Sequence, residues 1–436
     1  MKNVIARVIL ILFLITALGA GVLFGAYKYL DSVDYDAKIE ENIGRTQVMN
    51  IPGGDLDPIE PEAKAVEVKE EGDYEDSLTD SGKDISSEIY EKDADPATDM
   101  IPPEEGVKYF YYDNLLNFEK QVYSEVYNSL VNREPVRVST ISKDTLDKAF
   151  KAVIYDHPEL FYVERYMYTT YTRGSTIVYM EFEGKYNYSK EEALRIGGEI
   201  EKNAKEIIAG VDKNADDYEK IRYVFERLSD DTTYSTSSVN NQNMASVLYD
   251  HVSSCAGYSK ATQYLLNMLG INAFTVTGDA AGGAHAWNMV KADGNWYHLD
   301  VTWGDMDFQE NMEGSVDKAV MTYNYDYFLV TTSDIKKSHR PDELVALPEC
   351  TSQADNYYVR EDLYFTEVDP DKIRKAFEKG YEDKDKVVRM KCADKTIYNA
   401  MKSYLLDDQN VFDYVILKGS ISYMDDPELY TFQFWL

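Results

Sequence analysis

Cys255 opens the one stretch of this chain where residue types and spacing could do chemistry. It follows Ser253-Ser254 and precedes Tyr258, Ala261, Leu265, Met268 and Leu269, which recur at helical spacing until Gly270. Either Ser254 or Ser253 can serve as the N-cap, which places Cys255 in the first helical turn. There the aligned peptide dipoles favour a thiolate, the nucleophilic form of cysteine. A nucleophile of this kind needs a base, and the base needs a group to orient it. The segments Ala284–Lys291 and Asn295–Thr302 are predicted strands flanking Asp293-Gly294, a strong signal for a two-residue hairpin turn. Pairing through that turn sets Ala292 opposite Asn295, Trp287 opposite Asp300 and His285 opposite Thr302. Side chains alternate along strands, so His285, Trp287, His298, Asp300 and Thr302 share a face. His285 and Asp300 become diagonal neighbours about 7–8 Å apart at the backbone, close enough for imidazole to meet carboxylate. The acid can fix the imidazole tautomer and stabilise its charged form, leaving the other ring nitrogen for a thiol.

Three pieces of sequence, Cys255-Ala256-Gly257-Tyr258, His285-Ala286-Trp287-Asn288 and Trp296-Tyr297-His298-Leu299-Asp300-Val301-Thr302-Trp303, stand in that order. The spacing is 30 residues from cysteine to histidine and 15 from histidine to aspartate. In order and spacing they resemble the transglutaminase-like cysteine enzyme superfamily, a likeness that extends over about residues 215–335. The resemblance implies an α+β fold: a papain-like core whose cysteine helix packs on an antiparallel sheet bearing His and Asp. It also implies a Cys255, His285, Asp300 triad that needs no cofactor. The chemistry would be attack on a carboxamide or peptide carbonyl, a thioester on Cys255, and then hydrolysis or transamidation. Trp287, His298 and Thr302 are expected to wall or support the site. The alternative is a catalytically inactive binding or scaffold module that keeps the fold. Ala256 and Gly304-Asp305 depart from the usual pattern, and the upstream side chain that would share the oxyanion with the cysteine N–H is not evident. Cys255, His251, His285 and His298 lack paired ligand spacing, so no metal is expected.

The elements that must position these residues are readable around them. Leu115, Leu116, Phe118, Val122, Val126, Leu130 and Val131 recur at helical spacing, and a second helix fits Lys143–Asp156, closed by His157-Pro158. Two aromatic strands, Leu160–Thr172 and Thr176–Tyr186, follow, then helices over about 189–209 and 215–229. The last 80 or so residues read as a small α/β unit, with strands near Lys386–Lys391, Phe412–Leu417 and Tyr430–Trp435 and helices near 370–379 and 394–405. Most of the 37 tyrosines are taken as half-buried sheet residues. The three cysteines are too few and scattered for a disulfide framework. The expected divisions are an N-terminal α/β region over 107–210, the core over 211–345 and the C-terminal unit over 346–436.

The net charge of −33 argues against nucleic-acid binding. That charge is uneven. Residues 31–106 hold 24 acidic against 6 basic side chains and six of the twelve prolines, so they read as a disordered, self-repelling spacer. Residues 1–30 contain an uncharged run from Val8 to Tyr27, long enough to span a hydrocarbon core of about 30 Å. Lys2 and Arg7 precede the run, so that flank stays cytoplasmic and the remainder lies outside the cell membrane. A cleaved signal peptide is the other reading of this run, and it would release a secreted protein. Low cysteine usage outside the cytoplasm fits a bacterial surface protein. On location, the expected partners are protein or peptide substrates at the cell surface or cell wall.

Overall fold

The structure, a computed structural model, describes residues 62–67, 109–173, 176–305, 323–416 and 421–436. The described residues form two compact units that meet in sequence between Leu363 and Tyr364.

The first unit begins with β1 (Glu62–Glu67), which lies inside the stretch read as spacer. It pairs in parallel with β3, from Glu62 opposite Met167 to Glu67 opposite Thr172. Within the stretch read as spacer, these six residues thus add a strand to the sheet edge through backbone pairing. Helix α1 (Asn117–Asn132) buries Val122, Tyr123, Val126, Tyr127 and Leu130 on one stripe. It starts two residues later than the apolar pattern suggested, because the Glu119 carboxylate accepts from Leu116 N–H (2.9 Å) and fixes the first turn there. After β2 (Val136–Val138), helix α2 (Lys143–Asp156) begins at a Ser142 cap and stops at His157, ahead of Pro158. Its last residue, Asp156, accepts from Tyr111 N–H, Tyr112 N–H and the Tyr123 hydroxyl at 2.8–3.0 Å. Burial nonetheless pushes this carboxyl up to about 7. Strands β3 (Val163–Arg173) and β4 (Thr176–Tyr186) form the expected hairpin and complete a sheet ordered β1-β3-β4-β2.

Helices α3 (Lys190–Ile208) and α4 (Asp217–Asp231) each open with a reciprocal capping box, Ser189/Glu192 and Asp216/Glu219. The chain then makes β5 (Thr233–Tyr234), which pairs in parallel with β6 (Val252–Ser253), and β6 leads directly into α5 (Cys255–Met268). Strands β7 (Ala273–Ala280), β8 (Gly283–Ala292), β9 (Asn295–Leu299) and β10 (His339–Pro341) form an antiparallel sheet ordered β10-β7-β8-β9. Helix α5 lies on this sheet and is tied to it by buried polar bonds. Asn288 Nδ2 donates to the Ser259 carbonyl (2.8 Å), and Gln263 Oε1 accepts from Thr275 N–H (2.9 Å). The β8–β9 register pairs Ala292 with Asn295 and Asn288 with Leu299, as the Asp293-Gly294 turn requires, both turn residues having positive φ. However, β9 ends at Leu299 rather than Thr302. Asp300 caps a short turn, α6 (Val301–Gly304), by accepting from Trp303 N–H.

Gly257 in α5 has no room for a side chain. A Cβ there would lie 2.0 Å from Ser253 Oγ and 2.9 Å from the Asn243 carbonyl oxygen. Helix propensity alone would favour alanine by about 1 kcal/mol. Overpacking against fixed groups costs about 1–3 kcal/mol and wins. Gly257→Ala is therefore expected to lower the thermal midpoint by several degrees in calorimetry; a raised midpoint would show that the serine cluster yields.

The second unit comprises β11 (Tyr364–Phe365), α7 (Pro370–Glu382), β12 (Val387–Cys392), α8 (Lys395–Lys402), β13 (Ser422–Asp426) and β14 (Thr431–Trp435), in a sheet ordered β11-β12-β14-β13. Among the described residues 412–416 there is no strand where one was expected over Phe412–Leu417; Asn410–Asp413 is a single 3-10 turn that leaves Phe412 exposed, and Leu417 lies outside the described residues. The strand beside β14 is instead the polar Ser422–Asp426, an edge strand with too few apolar residues to show alternation. Among the described residues no helix is long and apolar enough to cross a membrane, and the run from Val8 to Tyr27 lies outside them.

Candidate active site

Cys255 sits at the first position of α5, as its flanking sequence suggested, and Ser254 occupies the N-cap. Yet Ser254 does not cap. Its hydroxyl turns away to donate to the Asn241 carbonyl (3.0 Å), the same oxygen that accepts from Ser254 N–H and from Ser253 Oγ. The Ser254 side chain thus takes none of the first-turn N–H groups of α5, which leaves the positive end of the helix to act on an incoming oxygen. Cys255 is 3% exposed and packs with Ala256 and Ala286. A nucleophile placed this deep needs a base within reach.

That base is His285. Its Nε2 is 2.7 Å from Asp300 Oδ2, and the Cys255 sulfur is among the neighbours that raise its proton affinity. Asp300 can only accept here, so Nε2 carries the proton and Nδ1 is left for the thiol. Burial works to lower His285, but the Asp300 carboxylate and then the Cys255 sulfur outweigh it and push the imidazole up to about 10. Burial likewise opposes charge on Asp300. The His285 charge and the bonds from His285 and His339 nevertheless hold this carboxyl well below the usual carboxylate range. The Asp300 carboxylate cannot rotate freely, because Oδ1 accepts from Trp303 N–H (3.1 Å).

The structure therefore brings Cys255, His285 and Asp300 together. Trp287 is 1% exposed, stacks along His285 at 6.1 Å between centroids, and donates from Nε1 to His298 Nδ1 (3.1 Å). His298 is pushed down to about 3, by burial first and then by His339 and Lys336, so it is a neutral acceptor that holds the indole. Thr302 is not where pairing placed it. Because β9 ends at Leu299, Thr302 lies in α6 and makes no hydrogen bond to the Cys255, His285, Asp300 group among the described residues.

Two side chains were missed. Tyr234 on β5 is buried, and its phenol is driven well above its usual range by burial and then by the charges of Cys255 and Asp300, so it remains an O–H donor near the thiol. Backbone bonds Thr233 N–H to His251 O (2.9 Å) and Ser235 N–H to Ser253 O (2.7 Å) hold it alongside the entry to α5. The signal was the polar Thr232-Thr233-Tyr234-Ser235 run directly after a long helix. The other is His339 on β10, whose Nε2 is 3.0 Å from the same Asp300 Oδ2. Nothing near Ser338-His339-Arg340-Pro341 in sequence signals this; strand order supplies it.

The donor atoms of His285, Asp300 and His339 fall within 4.8 Å of one another, a compactness that can suit a metal. Here both nitrogens stand at hydrogen-bonding distance from one carboxylate oxygen, which describes an acid accepting from two imidazoles. The remaining thiols differ from Cys255. Cys350 and Cys392 are free and buried, and burial pushes each up to about 12.

Residues 202–301 match the family model of the transglutaminase-like superfamily, a range that contains Cys255, His285 and Asp300 but not His339. The chain is similar to the kyphoscoliosis peptidase of Mus musculus, with 26% identity over 135 residues, covering 27% of this chain and 20% of the relative. It is similar to that of Homo sapiens at 27% over 139 residues, with the same shares. The chain thus spans about a fifth of the length of these curated relatives. A crystal structure of a TGase is similar at 17% identity, covering 32% of this chain and 50% of that one, with a TM-score of 0.23.

Proposed function

From a transglutaminase-like domain in residues 202–301, we propose that the chain is a thiol enzyme that cleaves or exchanges amide bonds through a thioester on Cys255. The observation that carries this reading is His285 bonded to the Asp300 carboxylate, with the Cys255 sulfur, at a helix start its N-cap side chain leaves uncapped, among the groups that raise the imidazole. Cys255 sulfur attacks the carbonyl carbon, and the oxygen gains the negative charge. The Cys255 N–H and the Tyr234 hydroxyl are the donors proposed for that oxygen, a kind of contact worth about 10²–10³ in rate. His285 passes its Nδ1 proton to the departing amine, which leaves as the C–N bond breaks. Water, losing a proton back to His285, then releases a carboxylic acid; a primary amine doing the same forms a new amide.

The substrate class proposed is protein or peptide. Its place is the cell surface or wall of a bacterium, with the Val8–Tyr27 run as a single-pass anchor and the acidic residues after it as a tether. Incubating the protein with a cell-surface extract, quenching in acid and analysing the Cys255 peptide by mass spectrometry should reveal an acyl adduct. Cys255→Ala should show none and should lose at least about 10⁴-fold of turnover on the substrate so identified. Full activity in Cys255→Ala would sink the reading and leave the fold as a binding module.

A further inference from the structure

We infer that His339 is a positioning residue for the Cys255, His285, Asp300 group: its Nε2–H grips the carboxylate oxygen that orients His285. The inference rests on the thiol-enzyme reading above and concerns a side chain outside the matched domain range. Its basis is geometric. Asp300 Oδ2 lies 2.7 Å from His285 Nε2 and 3.0 Å from His339 Nε2, while Oδ1 is taken by Trp303 N–H. Three donors thus fix a fully buried carboxylate in position and in plane.

Sheet register explains how two imidazoles reach one oxygen. His285 on β8 pairs with Gly278 on β7, and His339 on β10 pairs with Ala280 on β7. The two histidines therefore share a face of the sheet, separated only by small residues of β7, and their ring centroids come within 5.4 Å. Gly278 has no alternative: a Cβ there would be 2.1 Å from the Arg340 carbonyl oxygen, next to His339 in sequence. The His339 ring is itself held, at 4.6 Å from Trp303, 5.0 Å from Trp287 and 5.3 Å from Tyr327 between centroids.

The protonation pattern follows from the partners. The groups facing His339 are Asp300, His285, His298, the Ser338 hydroxyl and the Ile335 carbonyl, with Lys336 beyond His298. Burial and the neighbouring His285 charge lower its proton affinity more than Asp300 raises it, so the ring is neutral. Asp300 is an acceptor, so the single proton sits on Nε2, and Ser338 Oγ donates to Nδ1 (2.8 Å). A neutral second donor steadies the carboxylate without competing as a cation for its charge, which remains directed at His285.

The test reads Cys255 rather than turnover. Wild-type protein is labelled with iodoacetamide from pH 5 to 10, with Cys350 and Cys392 as internal references. If wild-type Cys255 labels no faster than those two near neutral pH, the thiol-enzyme reading fails and takes the inference with it. Given fast wild-type labelling, His339→Phe, which keeps a ring and loses the donor, should slow Cys255 by about 10- to 100-fold at pH 7. His339→Gln, whose amide can reach the position of Nε2, should return to within about threefold of wild type. Ser338→Ala leaves the imidazole in place and removes only the Nδ1 partner, and it should slow labelling in the same direction by a smaller factor. The inference is overturned if His339→Phe keeps the wild-type profile. It is equally overturned if the Gln variant, folded by its melting curve, falls as far as the Phe variant, or if Ser338→Ala changes nothing.

Discussion

Replacing His285 with alanine should turn Cys255 into an ordinary buried thiol, slowing its alkylation by iodoacetamide at pH 7 by about 30-fold or more. The figure comes from general thiol chemistry: an ordinary thiol of pKa about 8.5 is about 3% thiolate at pH 7, so a base that takes its proton can speed alkylation by about 30-fold. Turnover should fall further, by at least about 10⁴-fold, since the same ring delivers the proton to the leaving amine. The sign of the pH dependence follows from His285, which is pushed up to about 10. Below that value the imidazolium proton donor is present; above it the proton is lost and amide cleavage declines. Cys350 and Cys392, each up at about 12, calibrate the background in the same digest. Equal labelling of Cys255 in wild type and His285→Ala would show that the ring does not activate the sulfur.

The local parts of this site were legible in the sequence, because each is written in consecutive residues. Helical spacing after Cys255 and the Asp293-Gly294 turn suffice to place the nucleophile at a helix start and to fix the β8–β9 register, with His285 on β8 three residues past the Asn288–Leu299 pair. What failed did so for physical reasons. Strand alternation was extended through Thr302, but an aspartate at position 300 that can cap the next turn competes with continued pairing, and the cap won. That outcome moved Thr302 off the shared face and gave Asp300 a second fixed oxygen through Trp303 N–H. His339 was invisible because its neighbour in space, Ala280, is distant in the chain and the closing strand β10 is only three residues long. Tyr234 was hidden for the same reason: β5 spans two residues and shows no periodicity. In the second unit, the apolar run at Phe412 suggested a strand, whereas the polar Ser422–Asp426 pairs with β14. Edge strands need little apolar content, so composition is a poor guide to them.

Asp300→Asn should be nearly as damaging to turnover as loss of His285, by about 10⁴-fold, although it changes no shape. The two oxygens of Asp300 are already committed: Oδ1 to Trp303 N–H and Oδ2 to two imidazole nitrogens. An asparagine amide has one acceptor and one donor group. If its oxygen meets Trp303 N–H, its NH₂ faces His285 Nε2, which must then become an acceptor. The ring proton moves to Nδ1, and the nitrogen facing Cys255 can no longer take the thiol proton. If the amide flips, its NH₂ collides with Trp303 N–H and leaves a buried donor unsatisfied, at a cost of about 1–3 kcal/mol. The first arrangement is therefore the one expected, with the fold retained and the tautomer wrong. Melting curves should show a modest shift, while Cys255 labelling at pH 7 should slow. A variant that keeps both the wild-type labelling rate and wild-type turnover would mean that Asp300 serves only the α6 cap, and that the tautomer of His285 is set elsewhere.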